Sequence, residues 1–196
     1  MRTLVQALLI FLVLTVVTGL VYPLAVTIIA EVAFPAQSGG SLVRDKGRIV
    51  GSRLIGQKFV DPKYFWGRPS ATDYSAMPSG GSNLCPISDT LRKQVDARRA
   101  AFQSVHGLGA TDVVPTNMLF TSGSGLDPDI SPESARLQIG RVAHARGLTD
   151  AQRAELAQLV AHATLLPQLG FLGSARVNVL RLNRDLDRLV GSAAGQ

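Results

Sequence analysis

The first thirty residues carry almost no polar interruption, whereas the remainder alternates short apolar stripes with polar turns. From Thr3 to Ala30 no residue is charged; Arg2 precedes this run and Glu31 follows it. Seventeen of its positions are Leu, Ile, Val or Phe. At roughly −0.3 to −0.6 kcal/mol each near a bilayer centre, such a segment inserts favourably by several kcal/mol. A spanning helix needs about 20 apolar residues. The run therefore predicts one transmembrane helix over about 4–30, inside an anchor at 1–33. A kink is expected between Gly19 and Pro23, because proline removes an N–H and crowds the preceding turn. The competing reading is a cleaved signal peptide, whose apolar region spans about 7–15 residues and ends in a small-residue cleavage site. This run is longer, and no Ala-x-Ala follows it.

After the anchor, Phe34–Ser41 (FPAQSGGS) has the Pro, Gly and Ser content of a linker. A soluble domain is predicted over 42–190, followed by a disordered tail at 191–196. Leu42–Arg44 and Ile49–Ile55 flank Asp45-Lys46-Gly47, which predicts a hairpin. The stretch 61–81 is dense in Pro, Gly, Ser and Tyr and predicts a long irregular segment, a kind that is often functional. Leu91, Val95, Phe102 and Val105 place one apolar face on a helix over 86–106, ended by Gly107. A short strand is expected over 115–121. Ser131-Pro132-Glu133 has the order cap, first-turn proline, first-turn acid, and opens a helix that Gly147 stops. Thr149 and Gln152 have capping-box spacing, before a helix with Leu156, Leu159, Val160 and Ala163 as its stripe. Alternation in ARVNVLRL suggests a strand over 175–182, with Asn183 capping a last helix. The mixed order gives an α+β class: one transmembrane helix followed by a single mixed α/β soluble domain.

Charge and cysteine content narrow the function. The net charge of +6 comes from scattered Arg, with few aromatics and no nucleic-acid motif, so nucleic acid is not an expected partner and membrane lipid is. A single cysteine, Cys85, excludes an internal disulfide, and with three histidines no zinc-type cluster is spelled out. Arg2 and the α-amino group favour a cytoplasmic N-terminus, while the far flank has no Lys or Arg before Arg44. This leaning puts the domain outside the cytoplasmic membrane.

No catalytic set is visible, and no catalytic or metal residue is assigned. There is no P-loop. Ser122-Gly123-Ser124-Gly125 lacks the first Gly of a nucleophile elbow, and His106, His144 and His162 sit in helical contexts with no evident convergence on it. Asp127 and Asp129 make at most a weak cation pair, and more simply a turn. The Gly/Ser loops 79–83 and 122–125 offer backbone N–H groups to an anion, or else only satisfy turn geometry. Tyr64, Phe65 and Trp66 beside Arg68 and Pro69 suit a protein–protein contact or a locally packed loop. An independent membrane-anchored ligand-binding domain stays open on these residues.

Six segments occur in order behind a helix containing Tyr22-Pro23-Leu24: LIGQKF at 54–59, YFWGRPSAT at 64–72, SGGSNL at 79–84, TSGSGLDPDISPESA at 121–135, RVAHARGL at 141–148 and RVNVLRLN at 176–183. Together they resemble the C subunit of the Kdp-type, high-affinity potassium-transporting ATPase of bacteria, along essentially the whole chain. Two places depart from the family pattern: Cys85–Asp89, where Gly or Ala commonly follows Asn-Leu, and Asp127-Pro128-Asp129, where Asp-Pro-His is usual. The resemblance implies a single-pass inner-membrane accessory subunit that is not an enzyme by itself. Its implied partners are a potassium-conducting A subunit, a P-type ATP-hydrolysing B subunit and a small single-helix subunit. The resemblance also implies no cofactor of its own, with ATP at the level of the complex. The family has been described as a catalytic chaperone raising the ATP affinity of the pump subunit, through a stretch that corresponds to Leu148, Thr149 and Gln152. Those residues, with Ser122, Gly123, Ser124 and Gly125, are the nucleotide-contact candidates. A domain outside the membrane is out of reach of ATP, so the two expectations conflict.

Overall fold

Pro23 shapes the N-terminal helix. In the computed structural model, which describes residues 1–45 and 47–193, the apolar segment is continuously helical over Arg2–Ala33. It comprises α1 (Arg2–Val16), one π turn (Val17–Val21) and α2 (Tyr22–Ala33). Proline cannot donate to the carbonyl of Gly19, and its ring crowds that carbonyl. The distortion expected at Gly19–Pro23 takes the form of this wider turn, in which the Tyr22 N–H reaches the Val17 carbonyl. The hydroxyls of Thr15 and Thr18 donate to Phe11 O at 2.8 Å and Leu14 O at 2.7 Å, so both are paired on an otherwise apolar surface. The helix ends at Phe34 (φ −136°, ψ 54°), since the residue before a proline is pushed out of the α region.

A single turn, α3 (Pro35–Ser38), leads into β1 (Leu42–Asp45) and β2 (Arg48–Ser52). They form the expected hairpin, with Asp45 opposite Arg48, Arg44 opposite Ile49, and a bulge between Val43 and Arg44. Its turn residue Lys46 lies outside the described residues. The chain divides into two compact units, Met1–Ser52 and Arg53–Gln196. The hairpin thus groups with the N-terminal helix.

The second unit is helical around a small sheet. Its elements are α4 (Asp89–His106), α5 (Thr116–Leu119), β3 (Asp129–Ile130), α6 (Pro132–Ala145), α7 (Asp150–Ala163), β4 (Thr164–Leu165), β5 (Arg176–Asn178) and α8 (Val179–Ala193). β5 lies between β3 and β4, antiparallel to both, with Ile130 and Thr164 opposite Val177. The class is α+β. Ile130 and Val177 of the sheet pack with Ile139 and Val142 of α6, Leu156 and Val160 of α7, Leu182 and Leu186 of α8, Phe102 of α4, and Phe65 from the irregular segment.

Caps read in the sequence stand where they were placed. Ser131 Oγ accepts the Ser134 N–H at 3.1 Å. Thr149 Oγ1 accepts the Gln152 N–H at 3.3 Å, while Gln152 Oε1 accepts the Thr149 N–H at 3.0 Å. Two expectations are corrected. Residues 115–121 contain the helical turn α5 in place of a strand: Met118 and Leu119 are neighbours that both point inward, which alternation forbids, and Arg98 Nη1 donates to the Leu119 carbonyl at 2.9 Å. The strand expected over 175–182 stops at Asn178. Val179, Leu182 and Leu186 recur at helical spacing and are buried, and Asn178 Oδ1 caps α8 by accepting the Arg181 N–H at 3.1 Å. Asn183 is therefore interior to α8. The helix continues through Ala193, and 194–196 of the expected tail lie outside the described residues.

Candidate functional site

From Arg53 to Ser88 the chain has neither helix nor strand, so its backbone groups need partners from elsewhere. Two amide side chains supply them at the centre. Asn183 on α8 accepts the Phe65 N–H at 2.8 Å and donates to the Phe65 carbonyl at 2.9 Å. Gln138 on α6 accepts the Trp66 N–H at 2.8 Å and donates to the Trp66 carbonyl at 3.1 Å. Consecutive residues are thus held as a strand neighbour would hold them, by side chains that are themselves almost fully buried.

Arg141 completes this clamp. One turn along α6 from Gln138, it is buried and has no carboxylate partner among the described residues. Its Nη1 donates to the carbonyls of Pro62 and, at 3.0 Å, Tyr64; Nη2 donates to Gln138 Oε1 at 2.7 Å; Nε donates to His106 Nε2 at 3.1 Å. Its guanidinium lies 3.8 Å from the Trp66 ring centroid. Burial lowers its pKa to about 10, which leaves it charged at neutral pH. A further layer closes the rim: Arg146 Nη2 meets Asp187 at 2.7 Å, Tyr64 Oη donates to Asp187 Oδ2 at 3.1 Å, and Arg146 Nε donates to the Lys63 carbonyl at 2.7 Å.

The aromatics of this segment are therefore not an exposed row. Phe65 is fully buried in the core, and Tyr64, Trp66, Arg68 and Pro69 are half-buried. The reason is the clamp, which turns Phe65 inward and lays Trp66 on Arg141.

His106 ties this region to pH. The Arg141 N–H bond requires an unprotonated Nε2, so the proton sits on Nδ1, which donates to the Phe102 carbonyl at 2.8 Å. Burial lowers the His106 pKa, Arg141 adds to the lowering, and the Phe102 bond opposes it. A histidine whose folded pKa lies below its unfolded value of about 6.5 stabilises the fold above that value. That stability is lost as pH falls from about 6.5 towards the folded pKa. The denaturation midpoint of the chain in detergent should therefore drop between pH 7.5 and pH 5.5, and the drop should shrink in His106→Gln.

A second junction holds the Gly/Ser loops. Ser122 is buried and its N–H donates to the Pro69 carbonyl at 3.2 Å; Ser124 Oγ accepts the Leu126 N–H at 3.1 Å. Gly125, at φ +71°, is in contact range of Ser70, Thr72 and Gly80, and Gly81 abuts Gly123. Arg68 Nη1 pairs with Asp127 at 2.8 Å, and Tyr74 Oη donates to the Arg68 carbonyl at 2.5 Å. Burial, helped by Asp127, raises the Tyr74 pKa to about 12, so it remains a donor. Beside this junction an open cleft of about 510 Å³ is lined by Asp127, Asp129, Glu133 and Arg176 among others. Asp127 is paired with Arg68, and Asp129 with Arg176 at 3.1 Å. Burial raises the Asp129 pKa, Asn178 opposing.

Among the described residues, no hydrogen bond or ion pair joins Ser122–Gly125 to Leu148, Thr149 and Gln152, whose polar groups form the cap of α7. Sequence reasoning missed Gln138, Arg141, Asn183 and Asp187. The available signal was a polar line, Ser134, Gln138 and Arg141, running at helical spacing beside the apolar line Ala135, Ile139 and Val142.

Comparison with known proteins places these features in a family. The family described as KdpC, K+-transporting ATPase, c chain, matches residues 4–188. The chain belongs to the KdpC family. It is 52% identical to the potassium-transporting ATPase KdpC subunit of Burkholderia vietnamiensis, over 97% of this chain and 99% of that one. The KdpC subunit of Burkholderia orbicola is 50% identical, over 95% of this chain and 97% of its own length. That of Polaromonas naphthalenivorans is 50% identical, over 93% of each. The KdpC match covers both the apolar helix and the clamped segment.

Proposed function

We propose that this chain is the accessory subunit of a Kdp potassium-transporting ATPase, holding the complex together by contact and contributing no catalytic group. Its partners in this reading are the potassium-conducting subunit, the P-type ATP-hydrolysing subunit and the small single-helix subunit. It crosses the inner membrane once, with its domain on the outer side. The observation that carries the reading is the clamp. Gln138, Asn183 and Arg141 are buried and spend their hydrogen bonds fixing one long irregular segment, which gives a rigid surface suited to docking. The experiment is purification of the tagged complex with and without this chain. The reading expects the conducting and ATP-hydrolysing subunits to separate in its absence. Full recovery of an active pair without it would overturn the reading.

The family's proposed effect on ATP affinity is, in this account, indirect. A nucleotide contact at Leu148, Thr149 and Gln152 would have to displace the α7 capping box. Thr149→Ala should therefore cost about 1 kcal/mol of stability, read as a lower denaturation midpoint, while leaving the KM for ATP of the assembled complex unchanged. A several-fold rise in KM at unchanged assembly would restore a direct contact.

A further inference from the structure

Between Glu155 and Arg176 lie twenty residues without Asp, Glu, Lys or Arg, and the second half of that stretch does not pack into the unit. Leu166 is 74% exposed, Leu169 82% and Phe171 74%, with Leu165 and Leu172 also largely in solvent. They stand on a tight hairpin between β4 and β5. The Gln168 N–H donates to the Leu172 carbonyl at 3.0 Å, the Leu172 N–H to the Gln168 carbonyl at 2.9 Å, and the Phe171 N–H to the Gln168 carbonyl at 3.2 Å. The shape is thus set by the hairpin's own backbone before anything covers it.

The choice of residue at the tip is informative. Leu169 (φ 54°) and Gly170 (φ 83°) are the two central residues of the turn. Asn-Gly or Asp-Gly fills such a pair at least cost, because a leucine Cβ is strained in the left-handed region. Leucine here takes the strain and buries almost nothing within its own chain. Strain of this kind persists where it serves a contact, and an apolar cluster this exposed marks an interaction surface.

We infer that the hairpin 165–172 is a docking knob that inserts into an uncharged apolar groove on another subunit of the same ATPase. This rests on the accessory-subunit reading above and names the surface that would serve it. Charge complementarity selects the occupant. A membrane-surface loop gains much of its hold from Lys and Arg against anionic lipid, and this stretch has neither. A preformed, strained tip suits a pocket of fixed shape, which fluid lipid does not offer. Leu and Phe anchors on a rigid turn keep the ordering cost of docking low.

The test uses the full complex in detergent. The triple variant Leu166→Ser, Leu169→Ser, Phe171→Ser is expected to reduce co-purification of this chain with its sister subunits by tenfold or more. Its own denaturation midpoint should not change, because these side chains make no core contact. Val113→Ser, at an equally exposed apolar position, should co-purify like wild type. A photo-crosslinking residue at position 169 should attach to a sister subunit. Wild-type co-purification of the triple variant overturns the knob, as does a crosslink to lipid alone or to nothing. A wild-type chain that fails to co-purify at all instead refutes the accessory-subunit reading beneath it.

Discussion

Arg141→Met is expected to destabilise the second unit by about 3–5 kcal/mol, because it leaves several buried neutral acceptors without a donor at about 1–3 kcal/mol each. Methionine matches the length of the stem but donates nothing. The carbonyls of Pro62 and Tyr64, one bond to Gln138 Oε1, and His106 Nε2 all lose their donor inside the fold, and the stacking on Trp66 is lost as well. Arg141→Lys should recover only a minor part, because an ammonium is a point donor and cannot reproduce a planar fork with four acceptors around it. The measurement is convenient. Trp66 is the only tryptophan of the chain and lies against the altered group, so its fluorescence follows both the local change and global unfolding in denaturant. A midpoint within about 0.5 kcal/mol of wild type, the usual range for neutral surface substitutions, would remove Arg141 from its central role.

The second large effect is expected at Gly125. An added methyl would lie 2.6 Å from Thr72 Oγ1, 2.8 Å from the Gly80 carbonyl oxygen and 3.2 Å from Ser70 Oγ. Thr72 could rotate, but the Gly80 carbonyl belongs to backbone that Gly81 already holds close to Gly123. The residue also has φ +71°, which alanine adopts at a cost of about 1–2 kcal/mol. With overpacking of about 1–3 kcal/mol, Gly125→Ala should cost roughly 2–5 kcal/mol and loosen the junction of the two Gly/Ser loops. Gly123→Ala is the control: open space surrounds its Cβ position and its φ is not positive, so it should stay near wild type. Thermal denaturation of the two variants side by side checks the pair. Equal midpoints would mean that the loops do not pack as described.

The sequence disclosed those parts of the fold that depend on neighbours in the chain. The Ser131 and Thr149 caps, the apolar run before Glu31 and the hairpin around Gly47 are each specified within a few residues. Where distant partners decide, local pattern misled. ARVNVLRL alternates for a few residues like a strand, yet the core beneath α8 accepts Val179, Leu182 and Leu186 at helical spacing. The clamp was the least legible feature. Asn183 meets Phe65 across 118 residues and Gln138 meets Trp66 across 72, and an amide inside an amphipathic helix gives no sign that its target is another segment's backbone. The YFWGRPSAT stretch stands out in the sequence for its aromatics beside Arg68 and Pro69, which suit a protein–protein contact or a locally packed loop. In the fold Phe65 enters the core, and the backbone of Phe65 and Trp66 is held by Asn183 and Gln138.

The side of the membrane that the second unit occupies decides how this subunit can act, and the chain carries its own probe. Cys85 is its single cysteine and is exposed. A membrane-impermeant maleimide, applied to spheroplasts and separately to inverted vesicles containing the assembled complex, reports the side through the mass shift of this subunit. Labelling from outside the spheroplasts, with protection in sealed inverted vesicles, is the expected result. Labelling only in the inverted vesicles would put the domain in the cytoplasm beside ATP and contradict a subunit that works by contact at the outer face.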